Sequence, residues 1–218
     1  MSIYCIIPAR KGSKRIKNKN LIKINGEYLI NKTVKHALNS KLIDKIYVST
    51  NDQKLIKILP KKVNIINRPE KYSKDNSKTE DAISHFINQL ILEKKKFPKL
   101  IVLLQCTSPL REKNDIDKSI ILLKSKKYDS VFSGCKNKNL FWIKKKKLVP
   151  LNYLPKKRLR EQKMQEQFME NGSIYVFKTK GYLKNRCRLF GKIGIFLMSK
   201  KNSFQLDDYE DKYILNKF

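Results

Sequence analysis

The residues best suited to chemistry lie in a cationic loop near the start of the chain. Pro8-Ala9-Arg10-Lys11-Gly12-Ser13-Lys14-Arg15 follows the apolar run Ile3 to Ile7 and closes with Lys17-Asn18-Lys19-Asn20. A buried strand that empties into such a loop can turn backbone N–H groups, a small hydroxyl and several cations onto one polyphosphate. The spacing is neither that of a P-loop nor GxGxxG. Taken alone, the loop reads as a phosphate cradle or as an ordinary basic turn.

Four further clusters could act with it. Leu103-Leu104-Gln105-Cys106-Thr107-Ser108-Pro109-Leu110-Arg111 ends the most apolar run, where amide and hydroxyl side chains (Gln105, Thr107, Ser108) could hydrogen-bond a sugar and Pro109 would stiffen the turn. The alternative is a Thr/Ser-Pro helix start. Asn67-Arg68-Pro69 is followed by Asp75 and Thr79, and Glu170-Asn171-Gly172-Ser173-Ile174-Tyr175 comes much later. The last is Asp207-Asp208-Tyr209-Glu210-Asp211. Carboxylates suit Mg²⁺, which takes one or two from the protein and fills its shell with phosphate and water. They equally suit the cap of a helix N-terminus. His36 and His85 are too far apart for a helical metal pair, and packing explains His85 as well as catalysis does. Nothing points to a Ser-His-Asp site.

These clusters need a scaffold, and the apolar pattern supplies one. Strands are expected at Ile3–Ile7, Lys45–Ser49, Val63–Ile66, Leu100–Gln105, Ser130–Ser133, Ser173–Phe177 and Ile193–Met198. Helices are expected at about Leu29–Asn39, Gln53–Leu59, Thr79–Lys95 and Asn114–Ser125, with a last one opened by the acidic segment near Asp207. Within Thr79–Lys95, Ala82, Ile83, Phe86, Ile87, Leu90 and Ile91 recur at three-to-four spacing. Short strands alternating with amphipathic helices imply βαβ units and a largely parallel sheet. Ligands bind such sheets at the carboxyl ends of the strands, where all five clusters fall. Residues 137–169 break the rhythm with Leu140-Phe141-Trp142-Ile143, a lysine run at 144–147 and Arg158-Leu159-Arg160-Glu161-Gln162, and read as an inserted excursion from a single domain spanning 1–218.

Composition narrows the class. A chain of 218 residues with 40% hydrophobic content can bury a real core, and no apolar run reaches the roughly 20 residues of a membrane helix. The start of the chain has no secretory pattern. Cys5, Cys106, Cys135 and Cys187 form no CxxC pair and are expected as free thiols in a reducing cytoplasm. The net charge of +31 invites a nucleic-acid reading, but only eight of the 50 basic residues are Arg and the lysines are scattered. Nucleic-acid binders concentrate their charge and interleave aromatics. The scattered lysines read as a solvated surface, whose excess charge could still steer an anionic substrate inward.

Together the motifs resemble the acylneuraminate cytidylyltransferases, which make CMP-activated nonulosonic sugars. The family pattern IPARxxSKxxxxKN, VSTD, RP, D-x-S, LQPTSPLR, R-RQ, ENGAIY and DIDxxxD appears here in order. It stands as Ile7-Pro8-Ala9-Arg10 with Ser13-Lys14 and Lys19-Asn20, Val48-Ser49-Thr50-Asn51, Arg68-Pro69, Asp75-Asn76-Ser77, Leu104 through Arg111, Arg160-Glu161-Gln162, Glu170 through Tyr175, and Gln205-Leu206-Asp207 with Asp211. The resemblance covers essentially the whole chain. It implies a Rossmann-like, mostly parallel α/β sheet flanked by helices, of the nucleotide-diphospho-sugar transferase type, with the excursion used for dimer contacts and for completing the partner's sugar site.

It also implies roles. CTP would sit on Ala9, Arg10, Gly12, Ser13, Lys19 and Asn20, with Arg10 and Lys19 on the phosphates and Asn20 on the cytosine side. Arg68 would help hold the nucleotide, with Thr79 nearby. The sugar would meet Gln105, Thr107, Ser108, Gln162 and Asn171, with Arg160 facing its carboxylate. Asp207 would be the Mg²⁺ position, making Arg10, Lys19 and Asp207 the catalytic set. The implied reaction is attack of the acceptor's anomeric hydroxyl on the α-phosphorus of CTP, with pyrophosphate leaving. The implied partners are CTP, a nonulosonic acid and a second copy of the chain, in the cytoplasm and away from membranes.

Four positions depart from the pattern: Gln205 for the first Asp of DID, Glu161 for the Arg before Gln162, Asn51 for Asp and Cys106 for Pro. Gln205 leaves Asp207 as the main protein ligand for a metal. Glu161 leaves the sugar carboxylate to Arg160 or Arg158. KDO cytidylyltransferases carry a GKP-type signature where this chain has Asn18-Lys19-Asn20, and a KDO-like acceptor is the competing enzyme reading. From a different class, a basic nucleic-acid binder on a retained scaffold predicts a steep salt dependence without CTP turnover. A milder alternative is a catalytically weak homologue, in which an Asp restored at position 205 raises activity.

Overall fold

The computed structural model describes all residues 1–218. In chain order the elements are β1 (Ile3–Pro8), β2 (Lys23–Ile24), β3 (Glu27–Tyr28), α1 (Leu29–Leu38), β4 (Lys45–Thr50), α2 (Gln53–Lys57), β5 (Asn64–Asn67), α3 (Thr79–Leu92) and β6 (Leu100–Leu104). They continue with α4 (Asp115–Ser125), β7 (Ser130–Asn137), β8 (Trp142–Lys144), β9 (Leu148–Pro150), β10 (Gln167–Lys178), α5 (Thr179–Asn185), β11 (Ile193–Leu197) and α6 (Tyr209–Leu215).

Seven strands form one sheet in the order β11-β7-β10-β6-β1-β4-β5. Every neighbouring pair is parallel except those made by β10, which runs antiparallel to both β6 and β7. The expected α/β sheet is therefore present, with one reversed strand that hydrophobic pattern alone could not orient. Period-2 alternation in β1 sends Ile3, Cys5 and Ile7 into one apolar layer and Tyr4 and Ile6 into the other. The first layer packs α1 and α4 through residues such as Leu29, Val34, Ile116 and Ile120. The second packs the stripe of α3 (Ile83, Phe86, Ile87, Leu90) onto Tyr175 and Phe177 of β10. Burial of both faces explains why β1 and β6 read as unbroken apolar runs.

The expected helix over Thr79–Lys95 stops at Leu92. Lys94 takes a left-handed backbone with φ 51°, and Ile91 and Leu92 at the helix end are exposed. The helix starts sharply because the Asp81 carboxylate accepts the Lys78 backbone N–H at 2.7 Å. Residues 137–169 hold the β8–β9 hairpin and two single-turn 3₁₀ helices at Pro155–Lys157 and Glu161–Lys163. They emerge between β7 and β10, whose ladder extends from the central sheet out to Asn137 and Gln167. No helix is long and apolar enough to cross a membrane.

Candidate active site

β1 ends at Pro8 and β6 at Leu104, so the next residues of each leave the ladder beside one another at the same sheet edge. A pocket of about 180 Å³ opens there, lined among others by Arg10, Asn20, Arg68, Thr79, Gln105 and Thr107. A wider cleft of about 600 Å³ adjoins it at Arg10 and is lined by Lys11, Gly12, Asn51, Ser73 and Asp75. Its lining holds no hydrophobic residue, as expected of a place for phosphates rather than for a base or a lipid.

The loop after β1 is held open by its own hydrogen bonds. Gly12 has φ +80°, a conformation that favours glycine, and the Arg10 guanidinium donates to the Gly12 carbonyl at 3.1 Å. Arg10 also reaches the Ser73 carbonyl at 3.3 Å and the Asp75 carboxylate at 3.1 Å. Lys14 meets the other oxygen of Asp75 at 3.1 Å. These two cations, Lys14 first, hold the Asp75 carboxyl below its ordinary range. Asn20 donates to the Arg10 carbonyl at 3.1 Å and so fixes the loop's backbone. Asn51 accepts from the Lys11 N–H at 2.8 Å while donating to Glu70 at 3.1 Å. An Asp at 51 could not donate to Glu70, so the departure from the family pattern is accommodated locally. Ala9 is buried, and its N–H bonds the Ser49 carbonyl at 2.9 Å.

Arg68 is buried at the pocket floor. It donates to the Ser49 hydroxyl at 3.0 Å and the Ser49 carbonyl at 2.6 Å, with no carboxylate partner. Burial, and then the charge of Arg10, brings its pKa down to about 10, so it stays cationic at neutral pH. An uncompensated buried cation beside Arg10 is a built anion site. His85 packs on Tyr72 with ring centroids 5.3 Å apart. Burial and the neighbouring Arg68 push its pKa down, which suits the packing role.

From the far end of the chain comes Asp207. Its carboxylate accepts from the Lys19 ammonium at 3.0 Å, joining residues 188 positions apart. The acidic segment divides its labour. Asp208 caps α6 by accepting the Asp211 N–H at 2.9 Å, and Asp211 accepts the N–H groups of Asp207 and Asp208 at 2.7 and 2.9 Å. Capping therefore uses Asp208 and Asp211, and Asp207 faces Lys19 with its side chain half exposed. No group of three or more His, Cys, Asp or Glu residues converges anywhere. The donor set fits an ion that takes one protein carboxylate and completes its shell with phosphate and water, and Mg²⁺ is such an ion.

The TSPLR turn is set by a residue to which the sequence reading gave no role. Arg111 is buried and donates to the carbonyls of Gln105 and Ser173, at 2.5 and 2.8 Å, tying the end of β6 to β10. Burial lowers its pKa to about 10. Its place at the end of the turn motif was the available signal. Ser108 is fully buried and donates to the Asn171 carbonyl at 3.3 Å. Asn171 is also fully buried. Its amide accepts from the Ser133 hydroxyl at 2.6 Å and the Ser173 N–H at 3.1 Å, and donates to Ser203 at 2.8 Å. With their hydrogen bonds spent inside the frame, both residues brace the turn after β6 against β10 rather than face the pocket. Ser13 makes no hydrogen bond within the chain and sits in the loop beyond Gly12. Arg160 and Gln162 are exposed on the excursion and do not line the pocket of Arg68 and Gln105. Glu161 pairs with Lys138 at 2.6 Å.

An α/β sheet with a cationic strand-end cleft, a buried arginine floor and a lone carboxylate opposite a lysine describes a nucleotidyltransferase scaffold. The cytidylyltransferase family model matches residues 4–212, and the chain belongs to that family. Among its relatives, it is 29% identical to the N-acylneuraminate cytidylyltransferase of Streptococcus agalactiae serotype III (strain NEM316), over 97% of this chain and 52% of that protein. It is 29% identical to N-acylneuraminate cytidylyltransferase A of Danio rerio, over 94% of this chain and 48% of that protein. The chain spans about half the length of the curated relatives it matches. The fold is shared with CMP:2-keto-3-deoxy-manno-octonic acid synthetase complexed with CTP, at TM-score 0.64 and 16% identity, covering 91% of this chain and 90% of that one. It is shared too with 4-diphosphocytidyl-2C-methyl-D-erythritol synthase from Anaerococcus prevotii, at TM-score 0.69 and 15% identity, covering 99% and 97%.

Proposed function

We propose that this chain transfers CMP from CTP to the anomeric hydroxyl of a nonulosonic acid of sialic or legionaminic type. The observation that carries the reading is the strand-end pocket, which Arg10, Asn20, Arg68 and Gln105 all line, with Lys19, next to Asn20 in the chain, paired to Asp207. Arg10, Lys19 and Arg68 offset the negative charge of the triphosphate and the charge that builds on it in the transition state. Gln105 orients the acceptor. The acceptor oxygen bonds to the α-phosphorus, the bond to the β-phosphate oxygen breaks, and pyrophosphate and the hydroxyl proton leave. Asp207 would hold Mg²⁺, which when bound supplies further neutralisation of phosphate oxygens. Cys5, Cys106 and Cys135 are buried free thiols, which suits a reducing, CTP-containing cytoplasm.

Beyond Arg10 and Arg68, which are assigned to phosphate, the one cation lining the pocket is Lys78, a lysine without the planar fork that matches a carboxylate. The excursion carries Arg158 and Arg160 together with exposed Trp142, Leu148, Leu151, Leu154 and Leu159. We infer that these apolar residues pack against a second copy and bring Arg160 and Gln162 to the partner's sugar site. The test is CTP-dependent pyrophosphate release with a panel of nine-carbon sugar acids and KDO, alongside molar mass by light scattering. Turnover with a nine-carbon acid by a dimer is expected. Turnover with KDO alone gives the acceptor to the KDO reading, and no release with any acceptor refutes the assignment.

A further inference from the structure

Asp75 lines the polar cleft beside the cationic loop, a carboxylate where a triphosphate is to lie. Its two oxygens are divided between two cations of that loop. Oδ1 accepts from the Arg10 guanidinium and Oδ2 meets the Lys14 ammonium, each at 3.1 Å. One carboxylate thus bridges the two cations as one phosphate group would. Only those cations hold it, and its side chain is 45% exposed. Arg10 does not depend on this partner, because the same guanidinium nitrogen also donates to the Gly12 and Ser73 carbonyls at 3.1 and 3.3 Å. Nor does the backbone of the segment. The Ser73 N–H bonds the Glu70 carbonyl at 2.8 Å, the Ser77 N–H bonds the Lys74 carbonyl at 3.0 Å, and Asp81 caps α3. The Asp75 side chain can therefore leave both cations while the chain around it stays in place.

A polyphosphate laid along the loop meets Arg10 and Lys14 already paired, with a charge of its own sign between them. A carboxylate that anchored Arg10 would be needed for its placement, and Arg10 has two carbonyls for that. We propose that Asp75 competes with phosphate for Arg10 and Lys14, once when the triphosphate of CTP enters the cleft and again before pyrophosphate leaves it. It loosens the grip of the loop on both, so that the pyrophosphate is let go after the CMP group has been transferred. No bond to Asp75 forms or breaks. This rests on the cytidylyltransferase reading above.

The experiment titrates CTP and pyrophosphate by calorimetry into the parent chain, Asp75→Asn and Asp75→Ala, at low salt and in about 0.5 M salt. Both variants should bind both ligands about three- to tenfold more tightly, the scale of one or two exposed ion pairs that no longer have to be broken. The gain should shrink in the higher salt, because the competing groups are exposed. Thermal unfolding should stay within about 2 °C of the parent, since the carboxylate carries no hydrogen bond of the fold. Affinities unchanged or weakened in both variants, with the parent chain binding CTP and turning over, overturn this inference and leave the proposed function standing. A gain of the same size at both salt concentrations overturns it too. A parent chain that neither binds CTP nor releases pyrophosphate with any acceptor overturns both.

Discussion

Gly172→Ala separates what the bare glycine of β10 does for stability from what it does for the placement of Gln105. The backbone there has φ +64°, and an L-residue in the left-handed region costs about 1–2 kcal/mol. For a domain of this size that is a fall in Tm of about 2–8 °C. The new methyl group would also sit 2.7 Å from the Gln105 side-chain oxygen. That oxygen ends a flexible side chain with no hydrogen bond to lose, so the clash is relieved by swinging Gln105 away at little further cost in stability. Swinging it away removes the proposed acceptor contact, and the acceptor KM should rise up to about tenfold, the scale of one lost hydrogen bond. CTP affinity should hold, because Arg10, Lys19 and Arg68 are anchored elsewhere. Thermal unfolding and CTP calorimetry, read beside pyrophosphate release, measure the three effects independently. A variant with parental Tm and parental acceptor KM would refute both the strain argument and the placement of Gln105. A lower Tm with unchanged acceptor KM would refute the placement alone.

Asp207→Asn leaves Lys19 without its carboxylate, and turnover should fall at least about a hundredfold in pyrophosphate release; activity within twofold of the parent would remove Asp207 from the catalytic set. Asn171→Ala strands the hydroxyls of Ser133 and Ser203 and the Ser173 N–H, and should cost about 2–4 kcal/mol in urea unfolding. Parental stability with a raised acceptor KM would return Asn171 to direct sugar contact. Burial, and then the charge of Arg111, lowers the His36 pKa from 6.5 to about 4. Between those values the unfolded chain binds a proton that the folded chain refuses, so stability is complete above pH 6.5 and declines toward pH 4. Urea midpoints measured across that window should fall less steeply in His36→Gln, and parallel slopes would show that His36 contributes nothing.

Much of this site was legible because its parts are local. Arg10, Arg68 and Gln105 each lie just after an apolar run, Asn20 and Thr79 close the loops that follow two of those runs, and in a parallel α/β sheet the ends of such runs meet at one edge. Strand and helix positions followed from periods of two and three-to-four, and Thr79–Lys95 overran only where Lys94 turns left-handed. The motif Glu170 through Tyr175 was legible as a cluster but not in its roles. Asn171 and Gly172 lie where the register of β10 against β7 shifts between Glu170 and Tyr175, so simple alternation along the strand does not give which way each faces.

The sequence by itself determined the strand-and-helix alternation, the cationic loop and the order of the motifs, because hydrophobic period and turn chemistry act over a few residues. Only the tertiary structure decided that β10 runs antiparallel, that Asp207 meets Lys19 while Asp208 and Asp211 cap a helix, and that Gln205 comes to Gln105. Those pairings join segments about 100 and 188 residues apart. Which side chain faces which across such distances is set by strand direction, register and burial in the packed sheet, and no local pattern encodes it.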